Sequence, residues 1–197
     1  AFTRLANALL DSRQQLDPAM PLTLMMLDID HFKSINDRHG HGVGDQVLRT
    51  FAHALQEQLR DGELFARLGG EEFVVVLPGL APEHAQFTAE RLRRAVQDLH
   101  LNHADPRLQM TVSIGLAGCA EGGPSPALDA LLICADKALY RAKARGRNCV
   151  EIIERGARLG HHLLKHRGKA FSVRARGNFG NHTAIFFMNF LSCHNIR

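Results

Sequence analysis

Apolar residues recur three or four positions apart in several long stretches of the chain. This spacing places them on one face of a helix and is typical of amphipathic helices that bury that face. Such helices are predicted over residues 2–16, 43–60, 82–99 and 127–143. A short helix or turn is predicted at residues 31–37, before a glycine-rich loop at residues 40–45.

Continuous apolar runs separate these helices and predict buried strands. Residues 22–30 are apolar on both faces, as in a central strand that is covered on two sides. Residues 64–66 and 73–77 flank Gly69 and Gly70, which predicts a β-hairpin. Further strands are predicted at residues 110–116 and, at the edge, 149–153. This order predicts an α+β fold, an antiparallel sheet with helices packed on one face.

Carboxylates stand where two of these strands end. Period-two geometry puts Asp28 and Asp30 on one face of their strand, and Glu71 follows the hairpin glycines. If the strands are neighbours, Asp28, Glu71 and the Ile29 carbonyl can share a Mg²⁺ with substrate phosphates. The alternative is that Asp28 caps the next turn and Glu71 is solvated; spacing alone favours neither.

Basic and amide side chains near the predicted helix ends suggest a ligand with phosphates and a base. Lys143 and Arg147 lie four residues apart, and Lys33 follows amides that can form an anion nest. Basic residues at a helix C-terminus are also favoured by the macrodipole without any ligand. Asn36 and Asp45 have the groups to bind guanine, or they serve as turn and cap residues.

Composition indicates one globular domain with an unusual tail. The 197 residues are 45% hydrophobic, and no run is long and apolar enough to span a bilayer. A start without Met, inside a helical pattern, predicts a fragment of a longer protein. The four cysteines lack metal-type spacing, which favours free thiols in a reducing cytosol.

The net charge of +4 is not spread evenly along the chain. Residues 154–197 hold eight Lys and Arg against one acidic residue, which leaves 16 against 19 in residues 1–153. The body is thus near neutral, at −3, and a basic nucleic-acid surface on it is not supported. We predict a domain over residues 1–153 and a basic tail over residues 154–197 that is disordered or an artefact of expression or reading frame.

Five motifs, in one order, resemble those of the GGDEF-domain diguanylate cyclases, in the GGEEF variant. They are Asp28-Ile29-Asp30-His31-Phe32-Lys33-x-Ile35-Asn36-Asp37, Gly40-His41-x-x-Gly44-Asp45, Arg67-Leu68-Gly69-Gly70-Glu71-Glu72-Phe73, Val112-Ser113-Ile114-Gly115, and Ala135-Asp136-x-Ala138-Leu139-Tyr140-x-Ala142-Lys143-x-x-Gly146-Arg147-Asn148. The resemblance covers residues from about 1 to 153.

This resemblance implies a palm-like domain, of ferredoxin-like βααββαβ order, that condenses two GTP into cyclic di-GMP and two pyrophosphates for bacterial signalling. It implies Mg²⁺ or Mn²⁺ on Asp28, the Ile29 carbonyl and Glu71, with Glu71 and Lys33 as catalytic residues. Substrate contacts are implied for Phe32, Lys33, Asn36, His41, Asp45, Gly69, Gly70, Lys143 and Arg147.

The family also implies a homodimer, because each 3′-hydroxyl attacks a GTP held by another copy. An inhibitory product site is implied for Arg60, Glu63 and Arg67, where Glu63 replaces the family's Asp and predicts weaker inhibition. The family's opening motif is missing, so an upstream sensory or membrane region is expected beside a cytoplasmic domain. The alternative function is an inactive module that binds GTP or cyclic di-GMP and signals through protein contacts.

Overall fold

The elements of residues 2–153 follow the predicted order, and a further strand at residues 172–175, in the predicted tail, was not expected. The computed structural model describes residues 2–99, 108–122, 127–153 and 172–175. Its elements are α1 (Phe2–Leu16), β1 (Leu22–Ile29), α2 (Phe32–His39), α3 (His41–Gln58), β2 (Leu64–Gly69), β3 (Glu72–Pro78), α4 (Pro82–Gln97), β4 (Val112–Cys119), α5 (Leu128–Ala144), β5 (Val150–Ile153) and β6 (Ser172–Ala175).

The strands form one sheet in the order β5-β4-β1-β3-β2-β6. The central strand β1 is antiparallel to both neighbours, so Asp28 lies opposite Glu72 of β3 on one side and Ser113 of β4 on the other. The edge strand β5 is instead parallel to β4. Helix α5 joins these two strands, and a helical crossover returns the chain in the same direction. The prediction of an antiparallel sheet is therefore right for the centre and wrong at this edge.

Two hydrophobic cores lie on opposite faces of the sheet. Met25 and Leu27 of β1 face one core, which α2, α3 and α4 complete. Leu24 and Met26 face the other core, which α1 and α5 cover. The prediction that the helices pack on one face is wrong. A central strand whose side chains are apolar in both directions needs cover on both sides, as predicted for residues 22–30.

The glycine-rich stretch at residues 40–45 is mostly helix. Gly40 has a φ of 81°, but α3 already begins at His41, so the prediction of a loop over residues 40–45 is wrong beyond its first residue. Gly44 is needed for another reason. A Cβ atom there would lie 1.9 Å from the side-chain oxygen of Asn36 on α2, so the missing side chain allows α2 and α3 to approach closely.

Other sequence expectations have mixed outcomes. Cys119, Cys134 and Cys149 are free thiols, as expected, and Cys193 lies outside the described residues. None of the described helices combines the length and apolar character needed to cross a membrane. Within the predicted tail the structure describes only β6, which pairs with β2 from Leu64 to Arg67. The remaining tail residues lie outside the described ranges, so their disorder stays a prediction.

The contact between β4 and α5 predicts a large effect of one methyl group. At Gly115 a Cβ atom would lie 2.1 Å from the backbone nitrogen of Leu139 and 2.3 Å from the Ala135 oxygen. Gly115→Ala should therefore lower the free energy of unfolding, measured in urea, by about 2–3 kcal/mol or more, because overpacking must move backbone. Gly42→Ala is the control: its Cβ meets nothing within 4 Å, and the helix should gain about 0.5–1 kcal/mol. Equal stability of the two variants would contradict this packing.

Candidate active site

A partly buried ion pair marks the end of the central strand. The Asp28 side chain at the end of β1 is 9% exposed, and its Oδ2 lies 2.7 Å from Nζ of Lys143. Lys143 belongs to the last turn of α5, whose crossover carries this end of the helix back to the same end of β1. The fold therefore brings together a strand-end carboxylate and a helix-end ammonium that are far apart in sequence.

The hairpin places Glu71 beside this pair. Gly70, at the tip between β2 and β3, has a φ of 56°, a conformation that favours glycine. The Ile29 N–H donates a hydrogen bond to the Glu71 carbonyl oxygen at 3.3 Å. This bond continues the β1–β3 pairing beyond Asp28 and Glu72, so Glu71 follows directly on the strand end that carries Asp28 and Ile29. The structure thus brings together the three predicted metal ligands.

The pKa of Asp28 reflects these surroundings. Burial raises it from 3.8 to about 6, Lys143 opposes that rise through its hydrogen bond and charge, and Glu71 and Glu72 add to the rise by repulsion. The two glutamates are therefore within electrostatic range of Asp28. A positive charge added here would relieve both the burial of a carboxylate and the repulsion between neighbours.

The donor set fits Mg²⁺. Asp28, Glu71 and the Ile29 carbonyl supply the hard oxygen ligands that this ion prefers. No group of three or more His, Cys, Asp or Glu suited to a metal occurs in the described part of the chain. A site with two carboxylates leaves coordination positions for water and phosphate oxygens, which is how Mg²⁺ is commonly held together with a nucleotide.

A second group of predicted residues meets between α2 and α3. The Asn36 side chain lies against Gly44, and its backbone oxygen accepts a hydrogen bond of 2.8 Å from the N–H of Gly40. Asp45 follows Gly44 and is exposed, as is His41 at the start of α3. An amide and a carboxylate thereby lie near each other where α2 packs closely against α3.

The start of α2 has a backbone turn of the kind on which the predicted anion nest depends. His31 has a φ of 57°, and the helix begins at the next residue, Phe32. A left-handed residue before a helix turns successive backbone N–H groups toward one side. Phe32 is buried and fixes this turn, while Lys33 beside it is exposed. Arg147, beyond the end of α5, is exposed as well.

The three residues of the expected inhibitory site lie in two places. Arg60 and Glu63 close a turn before β2, in which the Arg60 N–H donates to Glu63 Oε2 at 2.7 Å and the Glu63 N–H donates to the Arg60 oxygen at 3.2 Å. Arg67 lies farther along β2, and its Nε donates to the Gly70 oxygen at 2.8 Å. Burial lowers the pKa of Arg67, whereas the charges of Asp45 and Glu71 raise it. Arg67 therefore lies within electrostatic range of both of these residues.

Sequence reasoning missed the role of Asp30. This buried carboxylate accepts hydrogen bonds from the hydroxyls of Ser113 at 2.6 Å and Thr111 at 2.8 Å. The period-two pattern correctly placed Asp30 on the face that carries Asp28, but it carried no signal for its partners on β4. Asp30 also accepts a hydrogen bond from the backbone N–H of Asn148, whereas Asp28 pairs with Lys143.

The family model for "Diguanylate cyclase, GGDEF domain" matches residues 2–149. The chain belongs to the GGDEF domain family. Its GGDEF domain is 45% identical over 132 residues to the response regulator PleD of Caulobacter vibrioides, a match that covers 66% of this chain and 29% of that relative. The chain thus spans less than a third of that relative's length.

Solved GGDEF domains share the fold. The active GGEEF domain of a diguanylate cyclase from Vibrio cholerae is 31% identical, with a TM-score of 0.67 over 76% of this chain and 92% of that chain. The GGDEF domain of DgcB from Caulobacter crescentus, in complex with c-di-GMP, is 33% identical, with a TM-score of 0.65 over 76% and 85% of the two chains. These matches support the palm-like architecture predicted from the motifs.

The raised pKa of Asp28 predicts how the stability of this GGDEF domain depends on pH. Since the folded-state pKa of about 6 exceeds the ordinary 3.8, the folded chain retains a proton that the unfolded chain loses between pH 4 and 6. Stability is therefore lost as the pH rises through this window. Asp28→Asn stays neutral, so in EDTA its free energy of unfolding relative to wild type should increase by about 1–3 kcal/mol between pH 4 and 7. The free energies of unfolding of the variant and the wild type are measured in urea titrations. If their difference stays constant between pH 4 and 7, the burial of the Asp28 charge is contradicted.

Proposed function

We propose that this domain condenses two GTP molecules into cyclic di-GMP and two pyrophosphates. The observation that carries the proposal is the convergence of Asp28, Ile29 and Glu71 at one end of the sheet, with Lys143 against Asp28. Three carboxylates within electrostatic range of one another, Glu72 included, are an unfavourable arrangement for a fold that does not use them. A divalent cation shared with a triphosphate explains why they lie together.

Guanine recognition is assigned to the polar side chains where α2 meets α3. The Asp45 carboxylate can accept hydrogen bonds from both N1–H and the exocyclic amine of guanine, and adenine offers no such pair of donors. The Asn36 amide both donates and accepts, which suits the remaining base edge. His41 is the exposed first residue of the helix that carries Asp45. This chemistry favours GTP over ATP as the substrate.

The phosphates are assigned to the strand end and the two helix ends around it. Lys33 and the amides at the start of α2 lie on one side, and Lys143 and Arg147 at the end of α5 lie on the other. With a cation held by Asp28 and Glu71, Lys143 would be free to bind phosphate instead of Asp28. Bound Mg²⁺ or Mn²⁺ supplies polarisation of the α-phosphate and a lower pKa for the attacking hydroxyl.

The bond changes require two copies of the domain. Each domain holds one GTP, and the 3′-oxygen of one nucleotide attacks the α-phosphorus of the other, releasing pyrophosphate. The same step in the opposite direction closes the ring. Glu71, beside the metal position, can accept the proton that leaves the 3′-hydroxyl. Two domains related by a two-fold axis present both reacting pairs at once.

The test is the conversion of GTP at several protein concentrations with Mg²⁺, with cyclic di-GMP and pyrophosphate measured by chromatography. Specific activity should rise with protein concentration, because the monomer cannot complete the reaction. Glu71→Ala should lower product formation at least about 100-fold, since it removes a metal ligand and a proton acceptor. Glu57→Ala, which removes a carboxylate exposed on α3, is the matched control and should keep wild-type activity.

Two results would contradict the proposal. GTP binding without any product at high protein concentration would indicate the inactive binding module instead. Turnover by Glu71→Ala at the wild-type rate would remove this residue from the mechanism, even if the domain proved to be a cyclase.

A further inference from the structure

The turn that follows α5 has a strained backbone. Gly146, Arg147 and Asn148 have φ values of 112°, 66° and 46°, so three successive residues are left-handed and two of them are not glycine. Side chains other than glycine rarely adopt this conformation, although Asn tolerates it better than most. Such a turn persists only where the surrounding structure holds it in place.

Backbone contacts hold this turn at two points. The Arg147 N–H donates to the Ala142 oxygen of α5 at 3.0 Å, which closes the end of the helix. The Asn148 N–H donates to Asp30 Oδ2, also at 3.0 Å. Asp30 is 4% exposed and is itself fixed by Ser113 and Thr111. The turn is therefore tied to the strand end that bears Asp28.

A third point of attachment comes from the Asn148 side chain. Its Oδ1 accepts a hydrogen bond of 2.7 Å from Nη1 of Arg93 on α4, and its Nδ2 donates to Oε1 of Gln97 at 3.3 Å. Arg93 is only 14% exposed and also bonds Glu90 at 2.9 Å and Gln97 at 2.7 Å. The last two residues belong to the same helix as Arg93. Among these hydrogen bonds of Arg93, the one to Asn148 therefore connects α4 to the turn after α5.

The Arg147 side chain has no such fixed partner. It is exposed, and it makes no hydrogen bond or ion pair with the residues that the structure describes. Its direction is consequently set by the backbone from which it projects. The three attachments, one at Arg147 itself and two at Asn148, fix that backbone against the strand end where the phosphates are assigned.

We propose that Arg93 is a positioning residue, which acts through Asn148 to hold the turn so that Arg147 points at the substrate phosphates. Arg93 itself does not touch substrate. This inference rests on the proposed function, because it needs a nucleotide phosphate as the partner of Arg147. It predicts that removing the Arg93 guanidinium lowers the affinity for the nucleotide phosphates, although Arg93 does not contact them.

Equilibrium binding of a non-hydrolysable GTP analogue with Mg²⁺ tests this role, with guanosine as the phosphate-free competitor. Arg93→Ala and Arg147→Ala should each weaken binding of the analogue roughly three- to tenfold, and the double variant should bind no worse than Arg147→Ala alone. Guanosine affinity should not change. Arg94→Ala removes the same charge from the neighbouring, exposed position and should bind as wild type does.

Two further variants separate positioning from general stability. Arg93→Lys can still donate to Asn148 Oδ1 and should recover most of the affinity lost in Arg93→Ala. Asn148→Gly keeps the left-handed backbone and the N–H to Asp30 but lacks the amide, so it should reproduce the loss seen in Arg93→Ala. If Arg93→Ala does not fold, the affinity of Asn148→Gly for the analogue tests the positioning role in its place.

This inference would be overturned if Arg93→Ala and Asn148→Gly bound the analogue as tightly as Arg94→Ala does. The proposed function would then remain intact. Losses that multiply in the double variant would also overturn it, because Arg93 would then act without Arg147. A wild-type protein that binds no analogue would instead overturn the proposed function, and this inference with it.

Discussion

The rest of the site depends on the hydrogen bond from the Ile29 N–H to the Glu71 carbonyl oxygen. This bond extends the β1–β3 ladder past the last paired residues and brings a hairpin acid next to a strand-end acid. Backbone pairing is rigid, so the two carboxylates are held close despite their repulsion. Burial and like charges then raise the pKa of Asp28 to about 6. Such raised pKa values are common where a protein holds acids for a metal or for catalysis.

Helix α5 supplies the opposing charge. Because α5 crosses over between β4 and β5, its C-terminal turn returns to the strand end that carries Asp28. Gly115 allows the helix backbone to approach β4 closely enough for Lys143 to reach Asp28 Oδ2. The strained turn after α5 then projects Arg147 from the same place. The carboxylates and the cations that we propose to bind phosphate are thus parts of one rigid unit.

Much of this arrangement could be predicted from the sequence, since local patterns determine it. The apolar pattern predicts β1 and the amphipathic helices, and the glycine pair predicts the hairpin. The five motifs indicate the family. What failed depended on long-range packing. The helical state of Gly42 and Gly44 follows from the approach of α2 to α3, and the parallel edge strand follows from the α5 crossover. Positions 93 and 148 meet only in the fold, so no spacing in the sequence could reveal their contact.

The central claim is that Asp28 and Glu71 hold one cation together with a nucleotide. Electron paramagnetic resonance of Mn²⁺, titrated in the presence of a non-hydrolysable GTP analogue, tests it most directly. The account predicts one bound ion per chain, lost to a similar extent in Asp28→Asn and in Glu71→Gln, with little further loss in the double variant. Retention of the bound ion by either single variant with wild-type affinity would contradict a shared site.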